Sequence, residues 1–459
     1  MMIHRSKQIH MIGVGGAGMS PLAEVLVSFG YTVTGSDRLH SETTKRLESI
    51  GVKVQYDHNP ALINGAELVV YSSAVKPDNP ERIFAAENGI AQIRRAELLG
   101  DLMRAQTTVC ISGTHGKTTT TSLTGAILRE AGKAPTVLIG GMLREMKTHA
   151  LIGEGALMVA EADEYDRSFL AMYPTVAVIT NIDADHLDCY NDLTDIKAAF
   201  VEFTRKVPFY GEVIACRDDD GVRAVLSSIK APVTTYGTDV AADYRAQSIE
   251  FTDGCARFDV IERGTGIGSV TISIPGMHNV RNALAAIAVG RLFGAAMDSI
   301  TGALHRYRGV HRRFDVLGTY HGARVIDDYA HHPRELQATI AAARQSGAKR
   351  IIAVFQPHLF TRTRDFLDEF GEALTGADVA FVTAIYRARE EPIPGVTAEG
   401  IVTAMERRGY RQAHYIEEWR DLPELLAPMI VSGDYLLFMG AGDISACAYH
   451  MTEVLGGEA

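Results

Sequence analysis

The sequence predicts an α/β protein of three domains, each built around a mostly parallel sheet. The chain of 459 residues has room for about three domains at roughly 150 residues each. Apolar strands alternate with helical stretches, the pattern of parallel sheets with crossover helices. Two glycine-rich turns each follow a strand and precede a helix, as in phosphate-binding α/β units.

Composition and charge exclude several classes of protein. Hydrophobic residues are 46% and charged residues 22% of the chain, which excludes a mostly disordered chain, a collagen-like chain and a coiled-coil rod. The net charge is -11, whereas proteins that bind nucleic acid typically carry an excess of basic residues, so we expect no nucleic-acid partner. The five scattered cysteines form no CxxC pair and fit a reducing cytosol. Since apolar runs are too short to span a bilayer, we expect a cytoplasmic protein without membrane insertion.

The first predicted domain, residues 1–106, begins with a strand at Gln8–Val14 and a helix from about Ser20 to Phe29. Gly30 follows this helix, where a glycine commonly ends one. Short apolar runs at Tyr31–Gly35 and Leu68–Ser72 predict further strands.

The first glycine-rich turn lies between this strand and helix. Gly13, Gly15, Gly16 and Gly18 fit the pattern G-x-G-x-x-G, in which glycines let a diphosphate approach the backbone and the helix N-terminus meets its charge. Asp37 ends the second strand, where an acid that binds a ribose is expected. A nicotinamide cofactor, a UDP-sugar, or a tight turn without ligand all remain open.

The second predicted domain, residues 107–317, opens with the strand TTVCIS and a second glycine-rich turn. The turn comprises Gly113, Thr114, His115, Gly116, Lys117, Thr118 and Thr119. In a P-loop, backbone N–H groups surround phosphate, the lysine neutralises β- and γ-phosphate oxygens, and the hydroxyl that follows it reaches Mg²⁺. Ile111 stands where the strict pattern has its first glycine, and a capped helix start is the alternative.

Carboxylates and a histidine follow the later strands of this domain. Strands predicted at Leu157–Ala160 and Val176–Thr180 lead into EADE and NIDADHLD. Ligands of open α/β sheets lie at the carboxyl ends of the strands. We therefore expect Glu161 to bind the Mg²⁺ of a nucleotide and His186 to bind a second metal ion, with helix caps as the alternative.

The rest of the chain predicts a strand at Val213–Ala215, a β-rich stretch over 233–275 and a helix from about Asn279 to Phe293. The third predicted domain, residues 318–459, has strands at Arg324–Ile326, Arg350–Phe355, Val379–Thr383 and Tyr435–Met439. Two phosphate sites in successive domains indicate an enzyme that combines a nucleotide-carrying substrate with ATP chemistry. An NAD-dependent oxidoreductase, the alternative from another class, leaves the second site unexplained.

Together these motifs resemble those of the Mur ligase family, the ATP-dependent amide ligases of peptidoglycan precursor synthesis. The resemblance spans nearly the whole chain through IHMIGVGGAGMS, YSSAV, RRAELL, GTHGKTTTT, EADEYDRSFL, NIDADHLD, PGMHNVRNALAAIA, GVHRRFD, DDYAHHPRE, FQPHLFTRTRD and GAGDI. GVGGAGMS, DDYAHHP and QPH-x-x-TRT are most similar to the branch that joins L-alanine to UDP-N-acetylmuramate through an acyl phosphate. The recycling branch, which attaches a tripeptide to the same sugar nucleotide, remains an alternative.

The resemblance implies a UDP-sugar site in the first domain, formed by the glycines of the first turn with Asp37, Ser72 and Ser73. It implies ATP and two Mg²⁺ ions, replaceable by Mn²⁺, in the central domain, with Thr118, Glu161 and His186 as metal ligands. A Rossmann-like C-terminal domain would close over ATP and the amino acid. We expect a monomer or a homodimer.

The resemblance also assigns roles further along the chain. The residues implied to be catalytic are Lys117, Glu161, His186 and Arg313. Besides the P-loop, the residues implied to contact ATP are His278, Asn279, Asn282, Arg313 and Asp328. The residues implied to line the amino-acid site are Tyr329, His331 and Arg362. Asn279 as a helix cap, and His331-His332 as the start of a helix at Pro333, are the structural alternatives.

Three features depart from the family pattern. Leu359 occupies a position where such ligases often carry a basic residue. The loop with Arg387 and Arg389 is more basic than expected. Val201 stands where sister ligases carry a carbamylated lysine, so we predict that this chain has none.

Overall fold

The computed structural model describes residues 8–143, 148–187, 189–388 and 390–454. The chain forms two compact units. One comprises the chain up to Arg245 with Glu262–Thr265 and Asn282–Ala303, and the other comprises Ala246–Ile261, Gly266–Arg281 and the chain from Leu304 onward. The described residues form three sheets, of five, ten and six strands, so the predicted α/β class with three sheet-containing parts is confirmed.

The first sheet is parallel throughout and lies in the first unit. Its strands are β1 (Gln8–Ile12), β2 (Thr32–Ser36), β3 (Lys53–Gln55), β4 (Leu68–Tyr71) and β5 (Ala91–Arg94), in the order β3-β2-β1-β4-β5. Its helices are α1 (Ser20–Ser28), α2 (Glu42–Ser49), α3 (Pro80–Glu87) and α4 (Arg95–Met103). The strand order reverses at β1, and ligands bind outside the carboxyl ends of strands at such a switch point.

The second sheet starts in the same unit. Its strands are β6 (Thr107–Ser112), β7 (Thr136–Leu143), β8 (Thr148–Leu151), β9 (Leu157–Ala162), β10 (Val176–Ile179), β11 (Glu212–Cys216), β12 (Val233–Gly237), β13 (Tyr244–Thr252), β14 (Cys255–Glu262) and β15 (Thr265–Ile272). The order is β15-β14-β13-β12-β11-β10-β6-β9-β7-β8, and β6 pairs in parallel with both β9 and β10. The helices are α5 (Lys117–Glu130), α6 (Leu193–Thr204), α7 (Asp220–Val225), α8 (Met277–Leu292) and α9 (Met297–Arg306).

The third sheet lies in the second unit. Its strands are β16 (Asp315–Tyr320), β17 (Ala323–Asp328), β18 (Arg350–Phe355), β19 (Val379–Thr383), β20 (Ala413–Ile416) and β21 (Asp434–Met439), in the order β16-β17-β21-β18-β19-β20. Its helices are α10 (Pro333–Gln345), α11 (Phe360–Asp365), α12 (Leu367–Leu374), α13 (Glu399–Arg407), α14 (Leu422–Leu426) and α15 (Ile444–Tyr449). Alternate residues of β18 enter two separate apolar clusters, as expected of a parallel sheet buried on both faces.

The core of the first unit is continuous across its two sheets. Val14, Leu22 and Leu99 from the N-terminal part belong to the same buried cluster as Leu138 and Met172 from the second part. This packing brings the first glycine turn and the second sheet into one body. No helix among the described residues is long and apolar enough to cross a bilayer.

The predicted strands and long helices are confirmed, with ends shifted by a few residues. The structure also has strands that were not predicted, namely β3, β5, β7, β8, β16 and β20. At the start of the third sheet, β16 begins at Asp315, ahead of Gly318, and runs antiparallel to β17. Its sequence, DVLGTY, contains no continuous apolar run, because an edge strand buries less surface than a central one. That is why apolar runs did not reveal it.

Candidate active site

The predicted nucleotide loop comprises residues 113–119 and lies at the junction of β6 and α5. Gly113 has φ +133° and Gly116 has φ +82°, conformations that favour glycine. Asn181, just after β10, holds the loop in shape. Its side-chain oxygen accepts from the His115 N–H at 2.8 Å, and its carbonyl oxygen accepts from the Thr114 N–H at 3.2 Å. The loop is thus fixed ahead of a helix N-terminus, which favours an anion.

Lys117 opens α5, and its ammonium group is bound on two sides. Nζ donates to Gly113 O at 2.8 Å and to Glu164 Oε2 at 2.7 Å, and it lies 3.7 Å from Asp163 Oδ1. Burial by itself lowers the pKa of Lys117, but the charges of Glu164 and Asp163 raise it above its usual range. The site therefore contains a permanent cation.

Glu161, at the end of β9, is held against the loop. The Gly140 N–H donates to Glu161 Oε1 at 2.7 Å, and Thr118 Oγ1 donates to Glu161 Oε2 at 3.2 Å. Two of the three predicted metal ligands are thus in contact. Their oxygens are of the type that Mg²⁺ prefers.

His186, the third predicted metal ligand, belongs to a second group of ligand atoms. Its Nε2 lies 3.8 Å from Glu164 Oε1, and Asp163, Glu164 and His186 place ligand atoms within 4.8 Å of one another. Glu164 Oε1 is buried and has no hydrogen bond from the described residues. Burial raises the pKa of Glu164, although the charge of Lys117 opposes the shift. An orphaned carboxylate oxygen beside an imidazole fits a cation.

The segment that carries these acids has an unusual backbone. Asp166 and Arg167 both have φ +53°, and His186 has φ +54°, which costs about 1–3 kcal/mol per residue outside glycine. Arg167 donates to both carboxylate oxygens of Asp195, at 2.7 and 2.8 Å. The Tyr190 hydroxyl donates to Glu164 O at 2.7 Å. These contacts hold the strained segment in place.

The first glycine turn follows β1 at the switch point. The Gly13 N–H donates to Ser36 O at 2.8 Å, and the Gly15 N–H donates to Asp37 Oδ2 at 2.8 Å. Asp37 thus contacts the turn itself. Ser72, half-buried, and Ser73, exposed, follow β4, which neighbours β1, while Gly16 is exposed.

A cavity of about 300 Å³ is lined both by this turn and by Glu161, the predicted metal ligand. Its lining includes Gly18 and Arg95 from the N-terminal part of the chain, and Glu161, Asp163 and Ser168 from the end of β9 and the segment after it. All of these residues belong to the first unit. A ligand in the cavity would therefore touch the predicted diphosphate site and the predicted metal site together.

The three residues of α8 implied to contact adenine have different surroundings. His278 is half-buried. Loss of solvation lowers the pKa of His278 to about 4, and the charge of Arg281 adds to the shift. Asn279 Nδ2 donates to Pro275 O at 2.6 Å. Asn279 therefore does not act as the helix cap that the sequence left open, because α8 begins before it, at Met277, and an N-cap side chain accepts from a backbone N–H. Asn282 lies against the nucleotide loop, since a Cβ at Gly116 would be 2.6 Å from its Oδ1.

In the second unit, Asp328 ends β17 beside Arg313. Asp328 accepts from the Phe314 N–H at 2.7 Å and the Ala330 N–H at 2.8 Å. Burial raises the pKa of Asp328 to about 6, and Arg313 opposes the rise. Arg313 lies over the Tyr329 ring, with Cζ 5.1 Å from the ring centre.

A row of rings continues from Tyr329. His331 lies 5.2 Å from Tyr329 and 6.3 Å from His358, and His358 stacks on Tyr386 at 5.8 Å, measured between ring centres. Arg362, in α11, is buried.

The alternative for the His331-His332 pair is confirmed for one residue. His332 is the N-cap of α10, which begins at Pro333. Leu359 precedes α11 with φ +74°, Arg387 is exposed, and Arg389 lies outside the described residues.

Sequence reasoning missed several residues of these sites. Those in the first unit are Glu164, Asn181, Gly140 and Arg95, and those in the second are His358 and Tyr386. Glu164 belongs to the motif EADE and Asn181 to the motif NIDADHLD. Position directly after a central strand is the signal that would have found them. Gly140 and Arg95 carry no such signal.

Comparisons with known proteins match this architecture. “Mur ligase family, catalytic domain” matches residues 8–107, “Mur ligase middle domain” matches 111–290, and “Mur ligase, glutamate ligase domain” matches 312–442. A UDP-N-acetylmuramate–L-alanine ligase from Salinibacter ruber is 46% identical over 453 residues, covering 98% of this chain and 95% of the relative. The same-named protein of Sorangium cellulosum is 47% identical over 446 residues, covering 96% and 95%.

Solved structures agree. A UDP-N-acetylmuramate-alanine ligase from Thermotoga maritima has a TM-score of 0.82 at 28% identity, covering 98% of this chain and 100% of that one. A murein peptide ligase from Psychrobacter arcticus has a TM-score of 0.70 at 24% identity, covering 99% of both chains, a likeness of fold alone.

Proposed function

This chain belongs to the Mur ligase family, and we propose that it joins L-alanine to the lactyl carboxylate of UDP-N-acetylmuramate. The products are UDP-N-acetylmuramoyl-L-alanine, ADP and phosphate, a step of peptidoglycan precursor synthesis. Relatives of that name at 46% and 47% identity support the L-alanine branch. The observation that carries the proposal is the cavity lined by both Glu161 and Gly18, between the nucleotide loop and the first glycine turn.

The chemistry explains why such a site needs cations. A carboxylate is a poor acyl donor, so its oxygen first attacks the γ-phosphorus of ATP, and ADP leaves. The amine of L-alanine then attacks the acyl carbon, phosphate leaves and the amine loses a proton. Negative charge grows on the phosphoryl oxygens in the first step, and the Lys117 ammonium is the cation positioned to stabilise it.

The donor set of the first unit fits Mg²⁺. Thr118 and Glu161 would hold one ion, and His186 with the orphaned Glu164 Oε1 would hold a second, with Mn²⁺ as a substitute. When bound, the ions neutralise phosphoryl charge.

The remaining assignments belong to the same proposal. The glycine turn, Asp37, Ser72 and Ser73 bind the UDP-sugar. Residues of α8 contact adenine, Arg313 and Asp328 contact ATP, and Tyr329, His331 and Arg362 line the amino-acid site. The domains are 1–106, 107–317 and 318–459, and the last closes over ATP and L-alanine, because an acyl phosphate needs protection from water. The enzyme acts in the cytoplasm as a monomer or homodimer.

Phosphate release tests this proposal directly. Wild-type protein is incubated with ATP, Mg²⁺ and UDP-N-acetylmuramate, together with L-Ala, L-Ser, Gly, D-Glu or the tripeptide in turn. We expect release that requires both the sugar nucleotide and L-Ala. Release with the tripeptide alone would assign the recycling reaction, and no release with any partner would refute the ligase.

A lysine pair provides the matched variants. Lys117→Ala should lower turnover by at least about 100-fold, because it removes a cation from the transferring phosphoryl group. Lys133→Ala, an exposed lysine after the same helix α5, should leave turnover unchanged. A near-wild-type rate for Lys117→Ala would contradict the role of the loop.

A further inference from the structure

Arg95, the first residue of α4, has a side chain that lies against the first glycine turn. A Cβ built on Gly18 would be 3.1 Å from both Cδ and Nε of Arg95 and 3.3 Å from its Cζ. The guanidinium group therefore occupies the space that a side chain at position 18 would fill. It lines the 300 Å³ cavity together with Glu161 and Asp163.

The Arg95 guanidinium has no protein partner that matches its hydrogen-bonding capacity. Within the described part of the chain, the Arg95 side chain forms no hydrogen bond or ion pair. The negative charge that interacts with its guanidinium is that of Asp163. Two other arginines of the same unit are paired: Arg167 donates to both oxygens of Asp195, and Arg46 donates to both oxygens of Glu24. The Arg95 side chain is half-buried. A guanidinium that is partly withdrawn from water and has no acceptor in the protein can donate to an oxyanion of a ligand.

The cavity indicates which ligand supplies those acceptors. This inference rests on the proposed function, in which the substrate is a sugar nucleotide. That substrate carries two kinds of oxyanion, the diphosphate and the lactyl carboxylate. Gly18 of the glycine turn, Arg95 and Glu161 all line the cavity, so a sugar nucleotide in it would bring its oxyanions close to the Arg95 guanidinium. Arginine binds phosphate and carboxylate alike through its fork of N–H donors.

We propose that Arg95 binds an oxyanion of the sugar nucleotide in this cavity and thereby sets the affinity for that substrate. Gly18 leaves room for the guanidinium, because a Cβ there would be in tight contact with the Arg95 side chain at 3.1 Å. Arg95 acts on substrate binding, while the cation at the transferring phosphoryl group is Lys117. The two arginines of the RRAELL run thus differ, since Arg94 is exposed.

Direct binding tests the proposal without relying on turnover. Calorimetry measures the affinity of the full chain for UDP-N-acetylmuramate, UDP-N-acetylglucosamine (which lacks the lactyl carboxylate), UDP and ATP. Arg95→Met should weaken UDP-N-acetylmuramate binding by about 10- to 100-fold, the effect of losing charge-assisted hydrogen bonds. ATP affinity should not change, whereas a general structural defect would lower ATP affinity as well. Arg94→Met is the matched control and should bind all four ligands as wild type does.

The ligands separate the two oxyanions. Equal losses for all three uridine nucleotides assign the diphosphate, and a loss confined to UDP-N-acetylmuramate assigns the carboxylate. Unchanged binding of every uridine nucleotide overturns the proposal. Arg95→Lys keeps the charge without the fork and should lose affinity to a smaller degree, so it serves if the methionine variant is unstable. If wild-type protein binds UDP-N-acetylmuramate but releases no phosphate with L-Ala, the proposed function fails and the Arg95 test stands.

Discussion

Replacing Gly140 by alanine tests the proposed metal ligand Glu161 without substituting either Glu161 or Thr118. The Gly140 N–H donates to Glu161 Oε1 at 2.7 Å, and Thr118 Oγ1 donates to Oε2 at 3.2 Å. A Cβ on residue 140 would lie 2.9 Å from Oε2, too close for the carboxylate to stay. We expect Glu161 to turn away from Thr118.

The cost should fall on metal affinity and not on folding. Glu161 Oε2 is the far end of a flexible side chain, Gly140 is exposed, and its φ is not in the left-handed region. Disturbing a group that orients a metal ligand typically weakens metal binding about 10- to 100-fold. The Mg²⁺ concentration for half-maximal phosphate release should rise by that factor, while the rate at saturating Mg²⁺ stays near wild type.

The assay is a Mg²⁺ titration of phosphate release, with thermal unfolding as the check on folding. Gly318→Ala is the matched control, because a Cβ there meets nothing closer than Thr452 Cγ2 at 3.6 Å. Its titration should coincide with wild type. An unchanged Mg²⁺ requirement in folded Gly140→Ala protein would refute Glu161 as a metal ligand.

Two further predictions concern buried carboxyl groups away from the nucleotide loop. Glu81 is fully buried and accepts from His10 at 2.9 Å and Ser36 at 2.7 Å. Glu81→Gln should therefore lower the free energy of unfolding by about 3–5 kcal/mol. Amide hydrogen exchange in β1 and β2 should become about 10²- to 10⁴-fold faster. Lys45→Ala, at an exposed pair, is the control; equal exchange in both variants would contradict the role of Glu81. Burial raises the pKa of Asp327 to about 7, so the folded state keeps a proton that the unfolded state loses near pH 4, and stability of the third sheet should fall as pH rises between these values. Asp327→Asn should reduce that slope in urea unfolding from pH 4 to 8, leaving the smaller share that the raised pKa of Asp328, about 6, contributes. An unchanged slope would show that Asp327 is not responsible.

The strands could be predicted from the sequence where they are buried on both faces of their sheet. TTVCIS, RIIAVF and VAFVT are short, almost wholly apolar runs, and each is a strand with the expected bounds or nearly so. The β16 edge strand and the antiparallel β8 were not predicted. An edge strand buries fewer side chains, so its sequence has less of the apolar excess on which such predictions depend.

The site was predictable where the ligand interacts with the backbone of a local turn, and unpredictable where distant segments meet. Gly113 to Thr118 are consecutive, so their spacing alone indicates a phosphate loop. Glu161 reaches that loop because β9 pairs with β6 in a register that sets Glu161 opposite Ile111 and Ala162 opposite Ser112. Two strands and a helix separate β6 from β9 along the chain. No local pattern specifies that pairing.

Arg95 and Lys117 show the same limit from the side of charge. Both are basic residues at the start of a helix, α4 and α5 respectively. Lys117 is recognisable because its function follows from its immediate neighbours, Gly116 and Thr118. The surroundings of Arg95 come from Gly18 and Asp163, which lie far from it in sequence and reach it through the continuous core of the first unit. A charge left without acceptors is a property of the folded chain, so the structure, and not the motif, makes Arg95 a candidate for substrate binding.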